Sequence, residues 1–178
     1  KASGFPTTKN ESWKYTNLNS LKKFDLTLAK GVDLSEDLKS SVNVHKSANG
    51  KNLVFLNGNF SKELSDGDNN LTFSGVVEKV VNIIHYSSSD EELAVVPTSC
   101  SIVIKKLSEV TIVEKYVGSD DSTYLSMPKS QILVKEGARL SYAKLTDEEK
   151  SSYHIGHTSV TCEKNSFFEA FSFSKGGK

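Results

Sequence analysis

Short apolar runs recur through the C-terminal part of the chain, from residue 101 to residue 178. Each run is rich in β-branched or aromatic side chains and ends at a polar joint that carries Gly, Ser or Asn. This alternation is typical of β-strands that are separated by tight turns. We therefore predict strands at residues 101–105, 110–114, 131–135, 139–143, 158–162 and 167–171.

The strand pattern also repeats along the chain. Residues 105–113 align with residues 135–143 at a spacing of 30, and residues 164–170 align with residues 136–142 at a spacing of 28. Each copy consists of a strand, a tight polar turn and a second strand. A period of this length is typical of a solenoid, in which each unit packs only against its neighbours. The pattern predicts a mainly β chain with a β-solenoid core at residues 51–178.

Two apolar segments extend this core towards the N-terminus. Residues 52–56 are predicted to form a strand, and the Asn57-Gly58 pair that follows favours the positive φ angles of a tight hairpin turn. The β-branched content of residues 76–86 favours a strand, although a helix at residues 77–81 is also compatible with the pattern. His85, at the end of this segment, is interpreted as a packed side chain rather than a ligand.

Residues 1–50 have a different pattern and are predicted to form a small helical subdomain of α+β type. Thr8 and Glu11 have the spacing of a capping box, which predicts a helix that begins close to Thr8. Trp13 and Tyr15 are interpreted as aromatic side chains that dock this helix onto the main domain rather than as a ligand platform.

Two polar segments complete the N-terminal half. Residues 30–51 are predicted to hold one helical turn around residues 34–38, with His45 in a solvated loop. The loop at residues 66–70 contains two aspartates and a glycine, which is a weak indication of calcium binding. It lacks the further oxygen ligands of a calcium loop and is interpreted as an exposed turn.

Composition narrows the class of partner. Lys and Arg together number 22, as do Asp and Glu, so the formal net charge is zero at pH 7. Such a chain offers no positive field, so neither nucleic acid nor a membrane is expected as a partner. No apolar run approaches the roughly 18 residues that a spanning helix needs. Cys100 and Cys162 lack metal-ligand spacing. A disulfide between them stays open, but the sequence favours two reduced, buried thiols of a cytoplasmic protein.

No group of residues predicts a catalytic, cofactor-binding or metal site. His154 and His157 are three positions apart, which places them on opposite faces of one strand and makes them a poor pair of ligands. Glu114, Asp120 and Asp121 are acids near a tyrosine, but adjacent residues of a strand diverge and form a poor acid–base pair. The sequence contains no GxSxG, GxGxxG or P-loop motif. We therefore predict that the protein is not an enzyme.

The chain ends in a strongly apolar segment. In a regular strand, Phe167, Phe171 and Phe173 fall on one face and Phe168 falls on the other. A final strand of this kind leaves an unpaired edge that favours association, and the sequence shows no polar unit that would cap it. We expect either that the protein continues beyond Lys178 or that another chain, such as a second copy in a homodimer, covers this edge.

Four stretches carry a more specific pattern: residues 5–18 (FPTTKNESWKYTNL), 53–58 (LVFLNG), 83–90 (IIHYSSSD) and 111–118 (TIVEKYVG). Together and in order, they resemble the SufB/SufD family of scaffold subunits for iron–sulfur cluster assembly. The P-x-x-K-x-E-x-W-K-Y-T-x-L pattern within the first stretch is the most specific part, and it favours SufD-type members over SufB-type members.

The resemblance implies a right-handed parallel β-helix, in agreement with the repeat that the strand pattern shows independently. It also implies a non-catalytic subunit that pairs with a SufB-like paralogue and a SufC-like ABC-type ATPase. The full complex assembles the cluster, and no cofactor is expected on this chain. The later β-helix and the helical C-terminal region of the family have no counterpart here, and residues 65–80 are shorter than in the family. We expect an N-terminal portion of a longer protein, onto which no functional residue of the family maps.

Two alternatives stay open on the sequence alone. The first is an unrelated β-solenoid that binds carbohydrate or protein on one flat face, although the aromatic residues cluster at the end of the chain instead. The second is a solenoid hydrolase that uses Asp120 and Asp121.

Overall fold

The computed structural model describes residues 6–15, 17–90, 93–119 and 122–176. This part of the chain holds twelve β-strands, one α-helix and two short 3-10 helices. The α-helix is α1 (Glu36–Asn43), and the 3-10 helices are Glu11–Trp13 and Asn19–Lys23. The strands are β1 (Thr27–Leu28), β2 (Lys51–Leu56), β3 (Asn59–Phe60), β4 (Thr72–Phe73), β5 (Val81–Ser87), β6 (Ala94–Ile104), β7 (Glu109–Gly118), β8 (Tyr124–Val134), β9 (Arg139–Asp147), β10 (Tyr153–His154), β11 (His157–Cys162) and β12 (Phe167–Lys175).

The strands form two sheets, and the chain passes from one sheet to the other at almost every strand. In the first sheet β6 and β8 are central, β1 and β4 pair with β6, and β10 and β11 pair with β8. The second sheet has the order β12-β9-β7-β5-β2, with β3 antiparallel to β2 and every other pair parallel. The result is a β-solenoid of about four turns, which confirms the predicted fold class.

The strand register confirms the predicted repeat. Glu109 pairs with Arg139, and Arg139 pairs in turn with Phe167, so equivalent positions of the second sheet recur at the two spacings that the sequence shows. The first sheet shows the same two spacings, since Ala94 pairs with Tyr124 and Tyr153 pairs with Leu125. The strand favoured for residues 76–86 is present as β5, and residues 77–81 form no helix.

The tight turns between the first and the second sheet stack on one another. Their equivalent residues Leu107, Gly137 and Asn165 all have positive φ, at 57°, 67° and 56°. Leu107 N–H donates to the Glu136 carbonyl at 3.1 Å, and Gly137 N–H donates to the Lys164 carbonyl at 3.1 Å. Each turn is therefore hydrogen bonded to the next turn of the solenoid.

The predicted hairpin after β2 is also present. Asn57 and Gly58 both have positive φ, at 45° and 80°. This geometry matches the right-handed twist of the two strands, so β3 returns antiparallel to β2 with Phe55 opposite Phe60.

Helix α1 covers the outer face of the second sheet. Ser35 caps its N-terminus by accepting a hydrogen bond from Leu38 N–H at 3.2 Å. Leu38 and Val42 then pack against the outward residues of β2, β5 and β7. The helical turn predicted at residues 34–38 is thus a longer helix that begins at Glu36.

His45 follows α1 and is half-buried rather than solvated, which corrects the prediction. Its ring centroid lies 6.4 Å from that of Tyr86, and its backbone carbonyl accepts a hydrogen bond from Lys115 Nζ at 2.9 Å. Burial, followed by the charge of Lys115, lowers the pKa of His45.

The N-terminal segment differs from the prediction in two respects. The expected helix is a single 3-10 turn at Glu11–Trp13, and it is preceded by Asn10, whose side chain makes no capping bond to it. Trp13 packs against the apolar cluster of Leu18, Leu21, Leu93 and Leu125 as expected, but Tyr15 is 91% exposed. Packing of one aromatic side chain therefore decides the local structure more than helix propensity does.

This segment also contributes to the solenoid, because β1 pairs with β6 in the first sheet. The boundary at residue 50 stays a prediction. None of the helices in the described residues is long and apolar enough to cross a membrane.

The end of the solenoid formed by β11 and β12 is open. Both strands are exposed along almost their whole length, and within the described residues nothing pairs with their far edges. Phe167, Phe171 and Phe173 are exposed, while Phe168 packs against the interior, as the alternation predicted.

Candidate functional site

Strand β7 carries a carboxylate into the interior of the solenoid. Its alternate residues Val110, Ile112, Glu114 and Tyr116 are all buried, which identifies them as the inward face. Glu114 occupies a position that this pattern normally gives to an apolar residue, and its side chain is 0% exposed.

Four side chains from four strands surround this carboxylate. His85 Nε2 lies 2.9 Å from Glu114 Oε1. The Tyr116 hydroxyl donates to the same oxygen at 2.9 Å, and the Ser130 hydroxyl donates to it at 3.2 Å. The Tyr142 hydroxyl donates to Oε2. The carboxylate therefore has donors on both oxygens, as a buried charge requires.

These donors decide the protonation state of the cluster. Burial alone would raise the pKa of Glu114, but the hydrogen bonds from His85, Tyr142 and Tyr116, together with the His85 charge, outweigh it and lower the pKa to about 2. Burial, followed by the charge of Glu114, raises the pKa of both Tyr116 and Tyr142. The carboxylate is ionised at neutral pH and both phenols keep their protons.

Cys100 faces the same cluster from the first sheet. Its sulfur lies 3.9 Å from His85 Nε2. Burial, followed by the charge of Glu114, raises the pKa of the Cys100 thiol to about 12, so the thiol is protonated at neutral pH. Both cysteines are free, but Cys162 lies exposed on β11, so the prediction of a buried thiol is right for Cys100 and wrong for Cys162.

Aromatic rings extend the cluster along the solenoid axis. The rings of His85 and Tyr116 stack at 4.6 Å with an interplanar angle of 18°, and the Phe55 ring lies 5.1 Å from that of His85. On the other side, Tyr116 meets the edge of His154 at 4.9 Å. His85 and Tyr116 occupy paired register positions, which explains their stacking.

A second contact between a histidine and a carboxylate lies beyond Tyr116. His154 Nδ1 is 2.8 Å from Glu148 Oε2, and the side chain of Glu148 is fully buried. Lys144 Nζ lies 4.9 Å from the Tyr116 ring centroid. Burial lowers the pKa of the Lys144 amine, although the charges of Glu114 and Glu148 oppose that change.

The structure separates the other residues considered above. His154 and His157 lie on different strands, the first half-buried against Glu148 and the second exposed. Asp120 and Asp121 lie outside the described residues. In the loop at residues 66–70, Asp66 accepts hydrogen bonds from the backbone N–H and the side-chain amide of Asn52, at 2.8 Å and 2.9 Å.

His85, Cys100 and Glu114 together form the group that sequence reasoning missed. Glu114 was noted as an acid and His85 as a packed side chain, but neither was placed beside the other. One signal was present, because Glu114 falls on the inward phase of a strand whose alternate residues are apolar. Their ligand atoms lie within 4.8 Å of one another, and all three side chains are buried. This set could hold a metal ion.

Comparisons with known proteins agree with this architecture. Residues 85–178 match the family model described as the SUF system FeS cluster assembly, SufBD core domain. The chain is also 31% identical over 108 residues to the Arabidopsis thaliana protein named "Protein ABCI7, chloroplastic". That match covers 57% of this chain and 23% of the relative, so the chain spans about a quarter of that protein's length. The family match covers more than half of the 178 residues, and the chain belongs to the SufBD core domain family of the SUF system for iron–sulfur cluster assembly.

Proposed function

We propose that this chain is a SufD-type scaffold subunit of a Suf complex that builds iron–sulfur clusters. Membership of the SufBD core domain family is the observation that carries the proposal. The P-x-x-K-x-E-x-W-K-Y-T-x-L pattern at residues 6–18 supports the SufD type over the SufB type. The alternative of an unrelated β-solenoid loses its basis, because the chain belongs to this family.

The proposed partners are a SufB-like paralogue and a SufC-like ABC-type ATPase. The open end of the solenoid supports pairing with another β-solenoid, because the described edges of β11 and β12 present unpaired backbone groups and apolar side chains. A second copy of the chain could meet the same edge, so a homodimer is an outcome that the experiment below must distinguish.

A non-catalytic role is the second part of the proposal. Two of the interior groups with shifted pKa values, Glu114 and Cys100, are buried, and the thiol is protonated. A surface cleft of about 510 Å³ lies beside α1 and contains residues such as Asp33, Asp37 and Tyr86, but neither interior group lines it. The iron–sulfur cluster is then the cargo of the complex, and the ATPase partner supplies the nucleotide turnover.

The experiment is co-purification from cells that express the full-length protein with a SufB-like protein and a SufC-like ATPase. We expect a tag on this protein to recover both partners, and the reconstituted complex to acquire iron and sulfide. Recovery of the ATPase with a SufD-like protein in place of the SufB-like one would make this chain SufB-type. Recovery of only a second copy of itself, or of neither partner, would overturn the proposal.

The compartment is also a proposal. The composition and the free cysteines support the cytoplasm, whereas the name of the Arabidopsis relative places that protein in the chloroplast. Fractionation of cells that express the tagged full-length protein tests this point, and recovery of the protein in an organelle would replace the cytoplasmic assignment.

A further inference from the structure

Three different metal-ligating side chains converge inside the solenoid from three consecutive strands. His85 comes from β5, Cys100 from β6 and Glu114 from β7, and all three are buried with their ligand atoms within 4.8 Å of one another. We propose that they form a binding site for one Zn²⁺ ion. The site goes beyond the scaffold role and revises the expectation that the chain binds no metal; it does not depend on which partners the chain has.

The donor set indicates the ion. One imidazole nitrogen, one sulfur and one carboxylate oxygen form a mixed set of the kind that Zn²⁺ accepts. Ca²⁺ and Mg²⁺ prefer oxygen ligands only, so the sulfur of Cys100 disfavours them. Three protein ligands leave one tetrahedral position for a water molecule.

The distances suit an ion placed between the three side chains. A tetrahedral ion bonded to nitrogen at about 2.0 Å and to sulfur at about 2.3 Å holds these two atoms about 3.5 Å apart. His85 Nε2 and Cys100 Sγ are 3.9 Å apart, so this pair closes by about 0.4 Å when the ion binds. His85 Nε2 and Glu114 Oε1 are 2.9 Å apart. Cys100 Sγ and the Glu114 carboxylate lie within 4.8 Å and need to come to about 3.5 Å, a closure of about 1.3 Å at most that rotation of the cysteine side chain supplies.

The neighbours of Glu114 hold the carboxylate in the orientation that the site needs. Tyr142 binds Oε2, while Tyr116 and Ser130 bind Oε1 from the side. Such partners of a ligating carboxylate restrict its rotation and are typical of metal sites. When the ion binds, the Cys100 thiol gives its proton to solvent and the sulfur bonds to the metal as thiolate. His85 Nε2 gives the proton of its hydrogen bond with Glu114 to solvent and bonds to the metal, and the neutral ring carries its one proton on Nδ1.

The burial of the site decides how the ion enters. The described turns on both sides enclose the cluster, since β2 lies on one side of β5 and β9 on the other side of β7. We therefore expect the ion to bind as the chain folds rather than by diffusion into the folded protein.

The test uses the full chain with Cys162 replaced by Ser, which leaves Cys100 as the single thiol because the sequence has two cysteines. The variant is refolded from denaturant with Co²⁺ as a coloured substitute for Zn²⁺, and free metal is then removed. We expect one Co²⁺ per chain and a thiolate-to-cobalt charge-transfer band, which only Cys100 can produce. A parallel refolding with Zn²⁺ should retain one ion per chain and raise the thermal midpoint.

His85→Gln and Cys100→Ser in the same background should lose the bound metal and the band, while His157→Gln, an exposed histidine on β11, should keep both. Circular dichroism verifies that each variant folds. If Cys100→Ser does not fold, the band in the parent variant still decides the question. A folded Cys162→Ser chain that retains no Co²⁺, or that binds Co²⁺ without the charge-transfer band, would overturn the proposal and leave a metal-free hydrogen-bonded cluster.

Discussion

Glu114 is a buried charge whose cost is offset by its immediate neighbours. Moving a carboxylate out of water costs several kcal/mol. Here Tyr116 on the same strand, and His85, Tyr142 and Ser130 on strands of both sheets, donate hydrogen bonds to it. The same residue thus connects three turns of the solenoid, and its loss leaves several donors without an acceptor.

Replacement of this carboxylate should be costly. Glu114→Gln keeps the size of the side chain but removes the charge that the two phenols and His85 bind, so we expect the free energy of unfolding to fall by about 3 kcal/mol. The matched control is Glu109→Gln, an exposed residue of the same strand, with an expected change of about 0.5 kcal/mol or less. Urea denaturation at pH 7 in a chelator measures both, and equal effects of the two variants would contradict this account.

The same carboxylate should make stability depend on pH in a defined direction. Its pKa is about 2 in the folded protein and 4.5 as the ordinary value, so the unfolded chain takes up the proton first. The stabilisation is complete above pH 4.5 and is lost as pH falls towards 2, and it amounts to about 3 kcal/mol. Denaturation of the parent chain and of Glu114→Gln between pH 7 and pH 2 should show the difference in unfolding free energy narrow over that interval. A difference that stays constant with pH would argue against an ionised Glu114.

At the scale of single residues, the sequence indicated which side chains face inward but did not predict which of them are in contact. The alternation along β7 places Glu114 inward, and the repeat of the strand pattern places Cys100 beside Ser130, as the structure has them. Contact between Cys100 and His85 crosses from one sheet to the other. Spacing along the chain gives no distance across the interior, so this contact could not be predicted.

Among the elements, the stacked tight turns show how one residue affects the next turn. A Cβ added to Gly137 would lie 2.7 Å from Leu107 Cδ2 in the turn above, and the φ of Gly137 is 67°. Leu107 itself has positive φ and is largely exposed, which is unusual for a bulky residue. The hydrogen bond from Leu107 N–H to the Glu136 carbonyl holds it there.

Gly137→Ala should therefore destabilise the chain by about 2 kcal/mol, from positive φ and from the contact with Leu107. Leu107→Gly alone should be neutral or stabilising, because glycine relieves the strain at its own φ. In the double variant the contact is gone, and we expect the cost of Gly137→Ala to fall by about half. Thermal or urea unfolding of the parent chain, the two single variants and the double variant completes a double-mutant cycle. Strictly additive changes in the free energy of unfolding would show that the two turns do not interact.

The helices were predicted less well than the strands. Apolar residues at a period of two, with Gly or Asn in the joints, predict β8, β9 and β12. In these strands the alternation of inward and outward side chains is visible in the local sequence itself. The N-terminal helix was predicted from the capping spacing of Thr8 and Glu11, and the structure replaces it with one 3-10 turn. A turn of this size is too short to be stable by propensity, so packing of Trp13 decides its form.

At the scale of the molecule, the open end should control association. Ala170 lies on the inward phase of β12 and is exposed, so a charge there would block another strand layer from stacking on this end. We expect the 178-residue chain to associate as its concentration rises, and Ala170→Lys to shift it towards monomer with little change in stability. Glu169→Lys, one position along on the outward phase, is the control. Sedimentation over a range of concentrations measures this, and a monomeric parent chain at high concentration would contradict it.

The overall architecture was the most predictable feature. A solenoid repeats its own local pattern, so the spacing between similar segments identifies both the fold and the register of its strands. The participation of β1 in the first sheet was not predicted, although apolar and polar side chains alternate over residues 24–28. Thr27 lies far along the chain from its partner Ala94, and the alternation in so short a strand does not identify that partner.

The two kinds of corner in the solenoid give the chain one side of constant length and one side that can vary. Three corners from the first sheet to the second, at 105–108, 135–138 and 163–166, are equal in length, and each is closed by the same backbone hydrogen bond between its first and last residues, whereas the earlier corner between β4 and β5 is longer. The corners in the opposite direction differ in length, so the changes in repeat length along the second sheet arise outside the constant corners. Relatives of this chain should therefore gain or lose residues between β7 and β8 or between β9 and β10, and an engineered label would be tolerated there without disturbing the register of the turns that follow.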